Sequence, residues 1–232
     1  MHNIVLIIST SRRFEYLKKT LKSLFDKNPG IEKSFKKVWV LDDRSTTEER
    51  YGMEILLKNY FNDNFNTITF NSNEPFYYVE KFNMVRNLVK KDDIVFFLED
   101  DWECVDSINL DFHVNNLLNS NWTQIAFADP LWVQDDDIKE ECDINDFYWK
   151  NPYPKQIKHA IRWDGGICHW VSVSINNWTN NPGISKGEVY HKGEFSKSSR
   201  WEFDFADSVN GNQVWTKNEI FRHFGDNSAF SI

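Results

Sequence analysis

Residues 3 to 9 (NIVLIIS) form a continuous apolar, β-prone run, and in residues 14 to 25 (FEYLKKTLKSLF) the apolar positions 14, 17, 21, 24 and 25 keep a helical period. Asn28-Pro29-Gly30 breaks that helix, and KVWVLDD (37 to 43) follows as a second buried strand ending in acids. The alternation repeats. Residues 48 to 61 read as helix, NTITF (66 to 70) as a short strand, VEKFNMVRNLV (79 to 89) as helix and DIVFFL (93 to 98) as a fourth buried strand. Strands that are apolar throughout are covered on both faces, so the pattern predicts an α/β fold with a mostly parallel sheet flanked by helices.

The second half is less regular. IAFAD (125 to 129) is strand-like, WDGGICHWVSVSI (163 to 175) is a Gly turn followed by alternation, residues 184 to 200 read as a polar loop, and helical signal returns at 201 to 209. With no internal repeat or linker, the 232 residues are expected to form one domain.

The composition, 41% hydrophobic and 16% aromatic with ten Trp, is that of a globular chain. A formal net charge of −8 argues against a nucleic-acid surface, and the lysine-rich stretch at Lys33, Lys36 and Lys37 is expected to be a solvated loop. Cys104, Cys142 and Cys168 make no CxxC pair, so the chain encodes neither a disulfide framework nor a zinc site. A reducing compartment follows as the expectation. The opening run is too short for a signal-peptide core, and no stretch approaches the roughly 20 apolar residues that span a bilayer. Together these point to a cytoplasmic protein without a transmembrane segment.

The chemistry concentrates at the predicted strand ends, where open α/β sheets bind their ligands. They carry Ser9, Thr10 and Ser11, then Asp42 and Asp43, then Glu99, Asp100 and Asp101 in FFLEDDWEC. Three consecutive carboxylates repel one another and are costly to desolvate, so something positive is expected among them. A solvated acidic turn is the plain alternative.

In this order and spacing the motifs resemble those of GT-A glycosyltransferases, the nucleotide-sugar-dependent, Rossmann-like fold. VWVLDDRS is similar to the strand-end acid motif of the inverting, family-two-like enzymes, FNMVRN (82 to 87) to the helix that follows it, and FFLEDDW to the DxD element in its Glu-Asp-Asp variant. The resemblance implies a donor half over about residues 1–103 and an acceptor half over about 104–232. It further implies Mn²⁺ or Mg²⁺ between the carboxylates and a nucleotide-sugar diphosphate, which suits hard cations and oxygen ligands. In the family pattern Asp101 is the direct metal ligand, while Glu99 and Asp100 bond ribose hydroxyls or metal-bound water. His223 matches a C-terminal histidine that some members use as a further metal ligand, and a structural histidine is its bland alternative.

Asp43, or alternatively Asp42, matches the acceptor for the imide N–H of the base, with Ser9, Thr10, Ser11 and Arg12 packed around the nucleoside. Asp43-Arg44-Ser45-Thr46 reads equally as a helix-start loop capped by Thr46 or Thr47. Arg86-Asn87 either approaches the diphosphate or forms an ordinary helix C-terminus. Asp164-Gly165-Gly166 resembles the acceptor loop, or is a plain turn. SRWEFDFAD (199 to 207) places Glu202 as general base with Asp204 in reserve, although Ser199 and Glu202 also have the spacing of a capping box. Trp102, Trp132, Trp163, Trp170 and Trp201 suit either sugar stacking or core.

The expected function is metal-dependent, inverting transfer of a sugar from a nucleotide diphosphate sugar, UDP-sugars favoured, to a hydroxyl of a glycan or other acceptor. A nucleotidyltransferase of similar fold and a non-catalytic glycan- or nucleotide-binding module are the alternatives.

Overall fold

The computed structural model describes residues 2–71, 77–127, 138–143, 158–162, 168–173, 182–193, 195–197, 204–205, 208–209, 212–216 and 218–224. The first half builds as its periodicity predicts. Strand β1 (Ile4–Ser11) is buried along its whole length, and α1 (Phe14–Lys27) buries Leu17, Leu21 and Leu24. After Gly30, which turns the chain at φ 89°, come β2 (Phe35–Asp43), α2 (Thr47–Phe61), β3 (Phe65–Phe70), α3 (Tyr77–Leu88) and β4 (Ile94–Glu99). Thr46, not Thr47, caps α2: its Oγ accepts from Glu49 N–H at 3.2 Å while the Glu49 carboxylate accepts from Thr46 N–H at 2.8 Å. Such a cap is worth about 1 kcal/mol.

The remaining elements are β5 (Trp102–Cys104), α4 (Leu110–Leu118), β6 (Trp122–Ala126), β7 (Ile138–Asp143), β8 (Lys158–Arg162), β9 (Cys168–Val173), β10 (Gly183–Lys186), β11 (Asn212–Thr216) and β12 (Phe221–His223). Ten strands form one sheet in the order β3-β2-β1-β4-β10-β6-β11-β9-β8-β7, and β12 pairs with β5 in a separate ribbon. Strands β1 to β4 are mutually parallel, β10 runs antiparallel to both its neighbours, and the far part of the sheet is mixed.

The expected polar loop over 184–200 is therefore corrected. Its first residues are a central strand of the sheet, followed by a 3-10 turn over Gly187–His191. A Cβ on Gly183 would lie 2.4 Å from the Ile125 carbonyl oxygen, and one on Gly187 would lie 2.1 Å from that of Lys90. These glycines permit close packing, which in sequence looks the same as a loop. The lysine stretch is corrected in part, since Lys36 and Lys37 are exposed but belong to β2. Helix α4 and strands β5, β7, β8, β11 and β12 were not anticipated.

Alternate residues of the central strands feed two cores. One face packs Leu6, Ile8, Val40, Phe96 and Leu98 against α1, α2 and α4. The other packs Val5, Ile7, Leu41, Val95 and Phe97 against α3 and the turn at 187–191. Each such side chain contributes about 1.5–3 kcal/mol on burial. No helix among the described residues is long and apolar enough to cross a membrane.

Candidate functional site

Parallel pairing sets the strand ends side by side: Thr10 beside Asp42, Ser11 beside Asp43 and Ser9 beside Glu99. Because strand side chains alternate, Asp42 and Asp43 leave β2 on opposite faces. Fully buried Asp42 turns toward α2, where Arg50 Nε lies 3.1 Å away and Arg50 Nη2 also donates to Asn71 at 2.8 Å. Burial raises the Asp42 pKa, against the hydrogen bonds from Ser45 and Arg50. Asp43 faces the α3 side, accepting from Ser11 Oγ at 3.2 Å, with Arg44 Nε 3.3 Å from its other oxygen.

Asp100, just beyond β4, has no exposed surface. Its Oδ2 accepts from Thr10 Oγ at 2.7 Å, Ser11 N–H at 3.1 Å and Arg13 Nε at 3.3 Å, and Arg13 Nη2 lies 2.5 Å from Oδ1. Burial pushes its carboxyl up to about 6; Asp101 adds to the rise, and Arg13, Thr10 and the Ser11 amide oppose it. Asp101 accepts from Arg13 Nη1 at 2.8 Å on Oδ2, while Oδ1 is buried with no hydrogen-bond partner among the described residues. The guanidinium of Arg13 thus spans both aspartates. Burial disfavours its charge, but Asp100 and Asp101 outweigh that and raise its pKa.

His223 reaches this cluster by a separate route. Strand β12 pairs His223 with Trp102, Phe224 N–H donates to the Asp101 carbonyl at 3.0 Å, and His223 Nε2 comes to 3.3 Å from Asp101 Oδ2. The imidazole sits edge-on to the buried Trp102 ring at 5.0 Å. Asp101 and His223, the two metal ligands that the family resemblance implies, lie side by side. They supply one carboxylate and one imidazole, a donor set compatible with Mn²⁺. No cluster of three or more His, Cys, Asp or Glu with metal-holding geometry occurs among the described residues.

Sequence reasoning missed Arg13 and Lys81. Lys81, on α3, is only 5% exposed, and Asp43, Asp100 and Glu99 act on its charge. Burial lowers its pKa, against the pull of those three carboxylates. Its signal was a lysine one position before Phe82, on a helix whose Val79, Phe82 and Val85 are buried. A further signal exists only in the backbone. Arg12 (φ 51°) and Arg44 (φ 56°), which follow β1 and β2, both adopt the left-handed conformation. Arg12 Nε donates to the Arg44 carbonyl at 3.2 Å, and Arg12 N–H donates to Ser45 Oγ at 3.3 Å. Non-glycine residues held this way cost about 1–3 kcal/mol each and cluster at functional sites.

Ser9, Thr10, Ser11, Arg12, Asp43, Glu99, Asp100, Asp101 and His223 therefore gather on one rim. Arg86 lies in the last turn of α3, which runs back from the rim toward the start of β4, and there it complements the helix dipole. Asp204 is half-buried and accepts from Ser196 Oγ at 2.6 Å. Asn83 ties the same loop to α3 through two hydrogen bonds with Phe195, at 2.9 and 3.0 Å, and the Phe195 and Phe205 rings stack at 3.8 Å. Glu202, Asp164, Gly165, Gly166, Trp132, Trp163 and Trp201 lie outside the described residues.

No protein-family model and no curated protein sequence matches the chain. Solved structures do match in fold. GalNAc-T7 with UDP, GalNAc and Mn²⁺ aligns at a TM-score of 0.62 and 12% identity, over 96% of this chain and 44% of that one. S. aureus TarS in complex with UDP aligns at 0.59 and 13%, over 94% and 59%. The mannosyltransferase PcManGT from Pyrobaculum calidifontis, in complex with GDP-Man and Mn²⁺, aligns at 0.58 and 10%, over 94% and 56%. The chain thus has the α/β, Rossmann-like GT-A fold of these proteins and spans roughly half of their length.

Proposed function

We propose that the chain is a metal-dependent, inverting glycosyltransferase that takes a sugar from a nucleotide diphosphate sugar, UDP-sugars favoured, to a hydroxyl of a glycan or other acceptor. The carrying observation is the meeting of His223 with Asp101 at the acidic rim, where His223 Nε2 lies 3.3 Å from Asp101 Oδ2. The nucleotides and Mn²⁺ bound by proteins of like fold support the same reading. On this reading residues 1–103 bind the donor and residues 104–232 the acceptor.

Asp101 and His223 would hold Mn²⁺, which the imidazole favours over Mg²⁺. Once bound, the cation stabilises negative charge on the departing diphosphate. Asp43 would accept the imide N–H of the base on Oδ1, whose neighbour is Arg44 Nε at 3.3 Å. Ser11 orients it by donating to the opposite oxygen. Glu99 is less buried than Asp100 and suits the ribose hydroxyls, whereas Asp100 is committed to Thr10, Ser11 and Arg13. Glu202, or Asp204 from the same segment, removes the acceptor proton as the hydroxyl attacks the anomeric carbon from the face opposite the leaving group. That geometry inverts the configuration.

The test is a panel of nucleotide sugars followed by thermal shift and product analysis, with Mn²⁺ and with EDTA. A ligand at 100 times its Kd stabilises by about 2.7 kcal/mol. UDP-type ligands should stabilise far better with Mn²⁺, and Asp101→Ala should remove the difference; equal affinity in EDTA would overturn the metal-bridged site. Glu202→Gln should cut transfer about 10²- to 10⁴-fold with donor affinity retained. Near wild-type turnover, with a large loss in Asp204→Asn, would move the base there.

A further inference from the structure

The space between Asp100 and Asp101 already contains a cation, and it belongs to the chain. Arg13 touches both carboxylates with three nitrogens, the contacts lying between 2.5 and 3.3 Å. Asp101 Oδ2 receives Arg13 Nη1 at 2.8 Å and also faces His223 Nε2 at 3.3 Å. An incoming divalent ion would have to share that oxygen with a guanidinium of like charge.

We propose that Arg13 is a displaceable internal counter-ion that occupies the metal's side of Asp101, so that a divalent cation binds tightly only together with a nucleotide diphosphate, whose phosphates take over the guanidinium. The proposal rests on the reading of the rim as a metal-dependent nucleotide-sugar site. It assigns Arg13 a positioning and coupling role that no sequence motif marks.

Three features let Arg13 leave where Lys81 could not. Its side chain is 21% exposed, whereas Lys81 is buried. Asp100 keeps the Thr10 hydroxyl and the Ser11 amide on Oδ2 after the guanidinium departs, so only Oδ1 loses its partner. The Tyr16 ring, 5.7 Å from the guanidinium carbon, offers a surface to stack against as the fork turns outward. A planar, five-donor guanidinium matches phosphate oxygens as well as it matches carboxylate. Without the diphosphate a metal ion must evict Arg13 from both aspartates with nothing to receive it. With the diphosphate, the metal gains phosphate ligands and Arg13 gains an anion.

The experiment measures Mn²⁺ binding by loss of the free-ion EPR signal, with and without UDP, in the wild type, Arg13→Ala and Arg13→Gln. Gln can keep one hydrogen bond to Asp100 without a charge, and far-UV circular dichroism with a thermal melt confirms that each variant is folded. The wild type should bind Mn²⁺ weakly alone and much more tightly with UDP. Both variants should bind Mn²⁺ alone about tenfold more tightly or better, as expected for removing a unit charge from close range. The UDP-induced gain should shrink accordingly. Linkage requires the Mn²⁺-induced gain in UDP affinity to shrink by the same factor, which a merely structural role for Arg13 would not produce. If the wild type couples Mn²⁺ to UDP but the folded variants gain no Mn²⁺ affinity, Arg13 is no such counter-ion while the donor site stands. If the wild type binds neither Mn²⁺ nor UDP, the donor-site reading falls and takes this proposal with it.

Discussion

Asp42 and Asp43 are adjacent on β2, yet they live on different faces of the sheet. On the α1 and α2 face, carboxylates meet guanidinium groups that reach solvent: Arg50 beside Asp42 at 35% exposure, and Arg13 beside Asp100 and Asp101 at 21%. On the α3 face, the buried Lys81 lies in the field of Asp43, Asp100 and Glu99, so Asp100 feels a cation from each side. A cation that touches water can be exchanged for another, because its removal leaves groups that solvent or ligand can satisfy. One enclosed by protein is part of the fold. On the proposal made above, the difference separates the charge the rim releases, Arg13, from the one it keeps, Lys81.

Mutating the two kinds of cation is the hardest test of that distinction. Lys81→Met should cost about 3–5 kcal/mol in urea unfolding, since it strips the counter-charge from buried carboxylates. Arg50→Met should cost less, about 1–3 kcal/mol, because Arg50 is 35% exposed, so that water can enter where it stood, and Asp42 keeps its hydrogen bond from Ser45. Equal costs would dissolve the contrast. The next effect separates the two aspartates in binding. Asp43→Asn should weaken UDP binding by about 1–3 kcal/mol in calorimetry through one lost base contact, while Asp42→Asn leaves it unchanged. A matching loss in both would mean that the face does not matter.

The smallest effect is in pH dependence. Burial raises the Asp42 pKa above 3.8, so the folded chain binds that proton more readily than the unfolded chain. The stability this contributes is fully present below the unfolded value and is lost as pH rises through the folded one. Asp42→Asn should lack this decline, so the wild type should lose melting temperature relative to the variant as pH rises above 3.8. A constant difference across pH would show that Asp42 does not titrate abnormally.

Much of the first half's architecture could be read from sequence, because β1 and β4 are apolar on both faces and α1 keeps a clean helical stripe. The strand-end acids were legible for the same reason, since charge that interrupts an apolar run marks the end of a buried strand. Strand β10 was not legible. It has four residues, two of them polar, and the glycine that opens it looks like loop. Only the three-dimensional neighbours reveal that Ser185 is buried and faces the Tyr190 hydroxyl at 3.3 Å. Arg13 was hidden in a different way. The trio at Glu99 to Asp101 demanded a positive partner, but that partner stands 87 residues from Asp100, and local pattern carries no record of such a distance. His223 was reachable from sequence only through family resemblance, because β12 is three residues long.

The late arrival of β10 also constrains how the chain folds as it is made. Strand β4 has β1 on one side and β10 on the other, with Gly183 paired to Phe97 and Lys186 to Ile94. While the ribosome is still extending the chain toward residue 183, the four parallel strands can assemble, but β4 presents an open hydrogen-bonding edge that carries Phe96 and Phe97. Open apolar edges recruit other strands, and non-local closures are slow. The nascent chain is therefore at its most aggregation-prone after β4 emerges and before β10 docks. Slowed synthesis between those points should lower soluble yield more than slowing anywhere else.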